Sequence, residues 1–223
     1  MDFQAVVFDM DGIIFDSEKL VIGCWKEVAR KYGVPDIEAA CQECLGVNAT
    51  NTRQKFLNRY GQDFPYDTYK KEMSQLFHSR YDGGRLPMKT GVVELLTYLK
   101  EQGKKIGLAS STRKVVVEQE LKDARILSFF DVVIGGDMVT KSKPEPEIFL
   151  RACQELGVEP GEAFAIEDSY NGIRAAAAGK LRALMVPDLM PPTQEMQELA
   201  EQILDTLLDV KEYLAGERTG NLQ

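Results

Sequence analysis

The chain has 223 residues, of which 44% are hydrophobic and 28% are charged, and its formal net charge is −8. This composition is typical of a globular protein, and the length is sufficient for a full hydrophobic core plus a small second domain. The negative charge argues against nucleic acid and anionic membranes as partners. No apolar run approaches the roughly 18 residues that a membrane span requires.

The first predicted element is the apolar run Ala5–Phe8, which has the pattern of a buried parallel strand. It ends at two acidic residues, Asp9 and Asp11, and Gly12 follows. Ligands of open α/β sheets bind outside the carboxyl ends of the strands. Two carboxylates at one strand end repel each other unless a cation neutralises them or one of them carries a proton. From this stretch alone, a solvated turn and a functional site are equally good interpretations.

The segment from residue 16 to residue 87 is predicted to be helical. Asp16 or Ser17 can cap a first helix, which continues at helical spacing to Tyr32 and ends at Gly33. Further helical patterns cover residues 37–45, 51–60 and 67–81. Since none of this segment has the pattern of a buried strand, we predict a small helical domain inserted after the first strand.

Beyond residue 88, predicted helices and strands alternate, which argues for a parallel sheet covered by helices on both faces. Four further strands are predicted, over residues 105–109, 130–134, 163–166 and 182–186. The spacing of apolar residues between Leu199 and Leu214 predicts one amphipathic helix that closes the fold. The fold class is therefore α/β, with a Rossmann-like parallel sheet and a helical insertion.

Polar residues follow several of these strands. Ser110 comes after the second strand, Lys143 lies in the loop after the third, and Glu167 and Asp168 follow the fourth. Each has an ordinary alternative, since Ser110 and the acidic pair could cap helices and Lys143 could be a solvated lysine. Because all of them lie at the same sheet edge as the acidic pair of the first strand, their combination favours a functional site.

The other reactive side chains are less informative. Cys41 and Cys44 have redox or half-zinc spacing, but no second pair follows, and we expect ordinary reduced thiols. His78 is the only histidine and falls in a helix-like run, where a surface position is expected. Since the N-terminal residues lack a secretory pattern, we expect a cytoplasmic protein that uses carboxylate chemistry.

The motifs, in their order, resemble those of the haloacid dehalogenase superfamily of phosphotransferases. The first motif is similar to Asp9-Met10-Asp11-Gly12, the second to Ala109-Ser110-Ser111, the third to Lys143-Pro144-Glu145-Pro146, and the fourth to Glu167-Asp168-Ser169-Tyr170-Asn171-Gly172. The resemblance covers the whole chain. It implies a catalytic core over residues 1–15 and 88–223 and a mobile helical cap over residues 16–87, in the subgroup of beta-phosphoglucomutase and phosphoglycolate phosphatase.

The resemblance also implies catalytic roles. Asp9 would be the nucleophile that forms an aspartyl-phosphate. Asp11 would protonate the leaving oxygen and then deprotonate the attacking water, which argues against a dehalogenase because halide needs no proton. Ser110 would donate a hydrogen bond to the phosphoryl group, and Lys143 would neutralise its charge.

A cofactor and a substrate site are implied in the same way. Mg²⁺ would be held by the Asp9 side chain, the Asp11 backbone carbonyl and the Asp168 side chain, while Glu167 would orient a metal-bound water. Ser111 belongs to the second motif and is assigned to substrate binding. Arg113 either binds phosphate or simply begins the next helix. The candidate specificity residues in the cap are Glu18, Lys19, Trp25, Asn48, Asn51 and Arg53. For any single one of them, an ordinary surface or hinge position is the favoured interpretation.

Two departures from the mutases of the subgroup favour a hydrolase. The mutases carry a histidine shortly after the first motif, where Val21 stands here, and a basic residue in the cap, where Asn48-Ala49 follows Gly46-Val47. A mutase must hold a second phosphate, and the expected cation is missing. We therefore expect a monomeric or weakly dimeric phosphatase for a small phosphorylated metabolite such as a sugar phosphate. A beta-phosphoglucomutase-type mutase is the alternative, and a non-catalytic phosphate-binding module is disfavoured because no motif residue is missing.

Overall fold

A six-stranded parallel sheet, in the order β3-β2-β1-β4-β5-β6, forms the centre of the molecule. The computed structural model describes residues 2–45, 47 and 49–216. The central strand β1 lies between β2 and β4, with Val6 opposite Ile106 and Phe164. The carboxyl ends of these three strands therefore lie side by side. The strands are β1 (Ala5–Phe8), β2 (Lys105–Ser110), β3 (Val132–Gly135), β4 (Ala163–Glu167), β5 (Arg182–Met185) and β6 (Gln202–Ile203).

Helices cover both faces of the sheet, as the alternation of patterns predicts. Successive side chains of a strand point to opposite faces, so Val6 and Phe8 pack into one hydrophobic cluster and Ala5 and Val7 into another. The first cluster includes side chains of α5 (Val92–Glu101), α6 (Lys114–Asp123) and α10 (Leu207–Ala215), and the second those of α7 (Glu147–Leu156), α8 (Tyr170–Ala178) and α9 (Gln194–Leu199). The α/β fold class is confirmed.

In the described part of the insertion after β1, four helices pack around aromatic rings. The ring centroid of Trp25 lies 4.9 Å from the ring centroid of Phe56 and 6.0 Å from that of Tyr66. The chain enters the insertion through residues 14–19 and leaves it through residues 87–89, and we call these two stretches the crossing segments. The helices are α1 (Ser17–Tyr32), α2 (Ile37–Gln42), α3 (Ala49–Tyr60) and α4 (Tyr66–Tyr81).

Those two crossing segments are joined by backbone hydrogen bonds. The Asp16 amide donates to the Pro87 carbonyl (3.0 Å), and the Lys89 amide donates to the Ile14 carbonyl (2.9 Å). The predicted domain boundaries, between residues 15 and 16 and between residues 87 and 88, fall inside these segments. The assignment of a separate cap over residues 16–87 stays a prediction.

The prediction of one amphipathic helix between Leu199 and Leu214 is wrong. Helix α9 ends at Leu199, and the chain then pairs with the exposed edge of β5, where the Glu201 amide donates to the Ala183 carbonyl. This pairing forms β6, a sixth strand that the sequence pattern did not predict. The Thr206 side chain then caps α10 by accepting the Asp209 amide. The unpaired backbone groups of an edge strand favour such pairing, and periodicity alone does not report it.

No helix in the described ranges is both long and apolar enough to cross a membrane.

Candidate active site

Lys143 joins the strands at the carboxyl edge of the sheet. Its ammonium group donates to Asp9 Oδ1 at 2.6 Å, to Glu167 Oε1 at 2.5 Å and to the Ala109 carbonyl at 3.2 Å. All of these side chains are buried, with Lys143 8% exposed and Glu167 1% exposed. A buried ammonium is stable only when anions pair with it. Although burial lowers the pKa of Lys143, the carboxylates of Asp9 and Glu167 more than compensate and raise that pKa.

The second acid of the first motif has partners of its own. The Ser17 hydroxyl, in the first turn of α1, donates to Asp11 Oδ1 at 2.5 Å. Burial raises the pKa of Asp11, and the hydrogen bonds from Ser17 and Thr112 oppose that rise. Sequence reasoning treated Ser17 only as a helix cap and missed Thr112. Neither Asp16 nor Ser17 makes a side-chain cap on α1, so the capping prediction is wrong, and the Ser17 hydroxyl contacts the site instead.

Glu167 lies in a tight cradle formed by the turn after β4. Its Oε2 accepts the amides of Asp168 (3.1 Å) and Ser169 (3.2 Å) and the Ser169 hydroxyl (3.0 Å). A Cβ at Gly172 would lie only 1.9 Å from Glu167 Cδ, so glycine is needed for helix α8 to approach the carboxylate. Glu167 is therefore held by Lys143 and by its own turn.

Asp168 lies against the loop of the first motif. Gly12 has φ +79°, and a Cβ there would lie 2.3 Å from Asp168 Oδ2, so both the conformation and the space favour glycine. Asp9, Glu167 and Asp168 each present a carboxylate oxygen, and these three oxygens lie within 4.8 Å of one another. The sequence-predicted metal ligands Asp9 and Asp168 are thus brought together, with Glu167 beside them.

The pKa values reflect this crowding. Burial raises the pKa of Asp9 to about 8; Lys143 opposes the shift, and Glu167 and Asp11 add to it. Burial also raises the pKa of Asp168 well above its ordinary value, and the charges of Glu18, Glu167 and Asp9 raise it further. Up to three negative charges meet here, and Lys143 supplies one positive charge. A hard cation with oxygen ligands, such as Mg²⁺, fits this donor set and would compensate the remainder.

A second group of acids adjoins the first. Glu18, Asp168 and Asp188 also present carboxylate oxygens within 4.8 Å of one another. Burial raises the pKa of Glu18 to about 8, and the charges of Asp11 and Asp188 add to the shift. Asp188 pairs through Oδ1 with Lys19 at 3.0 Å and with Lys89 at 2.8 Å. Sequence reasoning missed Asp188, although it follows the predicted strand over residues 182–186 and the strand-end rule would have identified it.

The second motif is arranged around a buried serine. Ser110 is fully buried, and its Oγ accepts the Thr112 amide at 3.0 Å, which leaves the hydroxyl proton available for donation. Ser111 and Arg113 are exposed on the loop that follows. Arg113 directly precedes α6, whose first residue is Lys114. This position is compatible with both interpretations of Arg113, as a phosphate ligand and as a residue at the start of the helix.

The structure separates the remaining cap candidates. Glu18 and Lys19 lie at the acidic site, whereas Trp25 is buried in the aromatic core of the insertion, 5% exposed. Asn51 and Arg53 are exposed on α3, and Arg53 pairs with Asp67 at 3.1 Å. Asn48 lies outside the described residues.

The cysteines and the histidine have no part in the site. Cys41 and Cys44 are free thiols in the insertion, and burial raises the pKa of Cys41 to about 12. His78 is exposed on α4 and pairs with Asp82 at 2.8 Å. These positions agree with the ordinary roles predicted for them.

Comparison with known proteins places the geometry in a family. The haloacid dehalogenase-like hydrolase family matches residues 6–186. The chain is 30% identical over 181 residues to phosphorylated carbohydrates phosphatase of Thermotoga maritima, with 81% of this chain and 83% of that protein covered. It is 29% identical to beta-phosphoglucomutase of Bacillus subtilis, with coverages of 84% and 85%.

A solved structure shares the fold. The crystal structure of CbbY from Rhodobacter sphaeroides in complex with phosphate superposes with a TM-score of 0.75 at 27% identity, with 93% of this chain and 96% of that chain covered. The chain is therefore an enzyme of the haloacid dehalogenase-like hydrolase family, similar to its beta-phosphoglucomutase and CbbY members.

Proposed function

We propose that the protein is a Mg²⁺-dependent phosphatase that hydrolyses a small phosphomonoester, in the class of phosphorylated carbohydrates, through an aspartyl-phosphate on Asp9. The observation that carries the proposal is the buried Asp9 carboxylate, held 2.6 Å from Lys143 beside the acids Glu167 and Asp168. The names of the relatives from Thermotoga maritima and Bacillus subtilis support phosphorylated sugars as the substrate class.

The chain's own residues divide the work between nucleophile, charge and proton. Lys143 fixes Asp9 Oδ1 and leaves the second oxygen of that carboxylate to attack phosphorus. Lys143 and the Ser110 hydroxyl would stabilise charge on the transferring phosphoryl group. Asp11, oriented by Ser17, would give its proton to the leaving oxygen and then take one from the water that hydrolyses the acyl phosphate.

A divalent ion would be held by Asp9, Asp168 and the backbone carbonyl of Asp11. When bound, Mg²⁺ supplies the positive charge that lets a carboxylate approach a phosphate dianion. The Glu167 carboxylate already accepts hydrogen bonds from Lys143 and from the turn amides. We therefore assign it to orienting a metal-bound water rather than to binding the metal directly. Gly12 keeps the space that Asp168 needs beside the loop of the first motif.

A sugar-phosphate mutase is the second candidate, because one of the relatives is a mutase. Against it, the place of the hinge histidine holds Val21, which packs on the apolar cluster of the insertion. Arg53, the first arginine after the Gly-Val pair, is already paired with Asp67. A mutase needs a cation for a second phosphate, and neither residue offers one in this arrangement.

A panel of phosphorylated sugars and related metabolites tests the proposal, with free phosphate as the readout, with and without Mg²⁺. We expect Mg²⁺-dependent release that Asp9→Asn abolishes. Full turnover by Asp9→Asn would refute the nucleophile assignment. For the mutase alternative, beta-glucose 1-phosphate is supplied with a bisphosphate primer. Appearance of glucose 6-phosphate without matching free phosphate would overturn the hydrolase proposal.

The role of Asp11 has its own test. Asp11→Asn should slow hydrolysis of alkyl phosphates by about 10²- to 10⁴-fold, the usual range for loss of a general acid. An aryl phosphate should lose less, because its leaving group needs no proton. Equal losses on both substrates would show that Asp11 is not the proton donor.

A further inference from the structure

Asp188 lies at the point where the core and the helical insertion meet, and nothing in the proposed chemistry uses it. It follows β5, whose residues run Arg182–Met185, at the same sheet edge as the acidic site. Its side chain is only 2% exposed. A buried carboxylate at this position requires cationic partners, and two lysines supply them.

The two lysines come from the two crossing segments. Lys19 lies in the first turn of α1, where the chain enters the insertion, and its Nζ is 3.0 Å from Asp188 Oδ1. Lys89 lies where the chain leaves the insertion, and its Nζ is 2.8 Å from the same oxygen. The hydrogen bond that Lys19 donates to Asp188 also raises the pKa of Lys19. One core carboxylate therefore ties both segments to the loop after β5. We call Asp188, Lys19 and Lys89 the clamp.

The clamp acts on the turn that touches the proposed proton donor. Ser17 donates to Asp11 at 2.5 Å and is two residues from Lys19 on the same first turn of α1. The first turn of a helix has few internal hydrogen bonds, so its position depends on external contacts. The ion pairs of Lys19 and Lys89 with Asp188 therefore hold the first turn of α1 in the position from which the Ser17 hydroxyl donates to Asp11.

We propose that Asp188 is a positioning residue, which holds the first turn of α1 through Lys19 and Lys89 so that Ser17 stays hydrogen-bonded to Asp11. This inference rests on the proposed phosphatase function for its kinetic consequence, but not for its structural one. The rival role, in which Asp188 acts through its own negative charge on the acidic site, makes the opposite prediction for the lysines.

The sign of the mutational effects separates these two roles. Asp188→Asn removes a negative charge, whereas Lys19→Met and Lys89→Met each remove a positive one. If these three residues act as a clamp, all three variants should lower kcat. Asp188→Asn should lower it by about tenfold and each lysine variant by about threefold, as expected for loss of paired charges. KM should change by less than about twofold. Lys19→Arg and Lys89→Arg should recover most of kcat. Opposite effects of the aspartate and lysine variants would overturn the proposal, as would a change confined to KM.

A double-mutant cycle tests the route through Ser17. If Asp188 acts through that hydroxyl, Asp188→Asn should lower kcat in the wild-type background but have little further effect in Ser17→Ala, because coupled residues are non-additive. Additive losses would overturn the proposed route. Lys31→Met is the matched control, since it breaks a 2.6 Å ion pair with Glu72 elsewhere in the insertion, and it should leave kcat unchanged.

Hydrogen exchange tests the clamp without any substrate. The amides of Asp16 and Lys89 bond across the crossing segments, and they should exchange faster in Asp188→Asn, Lys19→Met and Lys89→Met, but not in Lys31→Met. Unchanged exchange in folded variants would overturn the clamp. If the wild-type protein released no phosphate from any substrate, the proposed function would fail, while this measurement would still decide the clamp.

Discussion

Replacing Asp168 by Asn should make the metal-free protein more stable at pH 8 and remove its response to Mg²⁺. The reason is the crowding of carboxylates around Asp168, which is 5% exposed and lies with Asp9 and Glu167 in a group whose oxygens are within 4.8 Å of one another. Burial and three neighbouring acids raise the pKa of Asp168 well above its ordinary value. The folded protein therefore resists ionising this group.

The magnitude follows from Coulomb's law. Two unit charges 4.8 Å apart, the upper limit of the separations within this group of oxygens, repel by about 3.5 kcal/mol at an effective dielectric constant of roughly 20. Because a group that keeps its proton avoids part of this repulsion, we expect Asp168→Asn to increase the free energy of unfolding by about 1–3 kcal/mol at pH 8.

The sign of the pH dependence is fixed by linkage. A carboxyl group whose folded pKa is raised binds more protons in the folded state than in the unfolded state. Its stabilising contribution is therefore complete below the unfolded pKa and is lost as the pH rises through the folded value. For Asp9 the folded value is about 8, so the window runs from about pH 4 to pH 8. The metal-free wild type should lose stability across this window, and Asp168→Asn should lose less.

Urea unfolding at pH 5 and pH 8, in EDTA and in excess Mg²⁺, measures both effects. Bound Mg²⁺ should stabilise the wild type by about 2.7 kcal/mol at one hundred times its dissociation constant, and Asp168→Asn should lose this gain. The matched control is Asp188→Asn, which removes a buried carboxylate that two lysines already compensate and should destabilise. Equal destabilisation by Asp168→Asn at both pH values, or an undiminished Mg²⁺ response, would refute the reasoning.

Three further predictions concern the partners of the site. Lys143→Met leaves Asp9 and Glu167 buried without their cation, so it should lower the free energy of unfolding in urea by about 3–5 kcal/mol and abolish nearly all phosphate release. Lys141→Met, at an exposed and weakly paired lysine, should change that free energy by less than about 0.5 kcal/mol. Similar losses for both variants would contradict the role of the buried pairs. Gly172→Ala places a Cβ 1.9 Å from Glu167 Cδ, so in thermal unfolding it should destabilise the protein by about 1–3 kcal/mol despite the better helix propensity of alanine. In the same assay Gly23→Ala, whose Cβ meets nothing within 4 Å, should stabilise the protein through α1. A stabilised Gly172→Ala would disprove the close approach. Ser17→Ala removes a hydrogen bond that lowers the pKa of Asp11, so Asp11 should keep its proton to higher pH. The falling limb of the pH–rate profile for an alkyl phosphate should move to higher pH and kcat should fall by about tenfold; an unmoved limb would show that the contact does not tune Asp11.

The grouping of the motif residues at one sheet edge was predictable because each of them follows a recognisable strand. An apolar run that stops at a polar residue marks a strand end, and parallel strands place those ends along one edge. The sequence alone therefore groups Asp9, Ser110, Lys143 and Asp168 at this edge. The same rule also points to Asp188, which follows the strand predicted over residues 182–186.

The C-terminal region shows where pattern reading stops. Apolar residues between Leu199 and Leu214 have helical spacing, yet Ala200 is extended and residues 202 and 203 form β6. Periodicity describes which face is apolar, not whether a neighbouring strand has free backbone groups. That information belongs to β5, which is more than fifteen residues away in the chain, and only the folded sheet brings the two together.

The α/β class, the helical insertion and the acids and lysine of the motifs could all be predicted from the sequence, because strand periodicity and strand-end residues are local properties. The sheet order, the contacts among those charges and the burial of each charge follow only from the folded arrangement of the chain. Lys143 meets Asp9 and Glu167 across 134 and 24 residues of chain, and Lys19 meets Asp188 across 169. Such pairings, and the pKa shifts they produce, depend on distances in space that no local pattern contains.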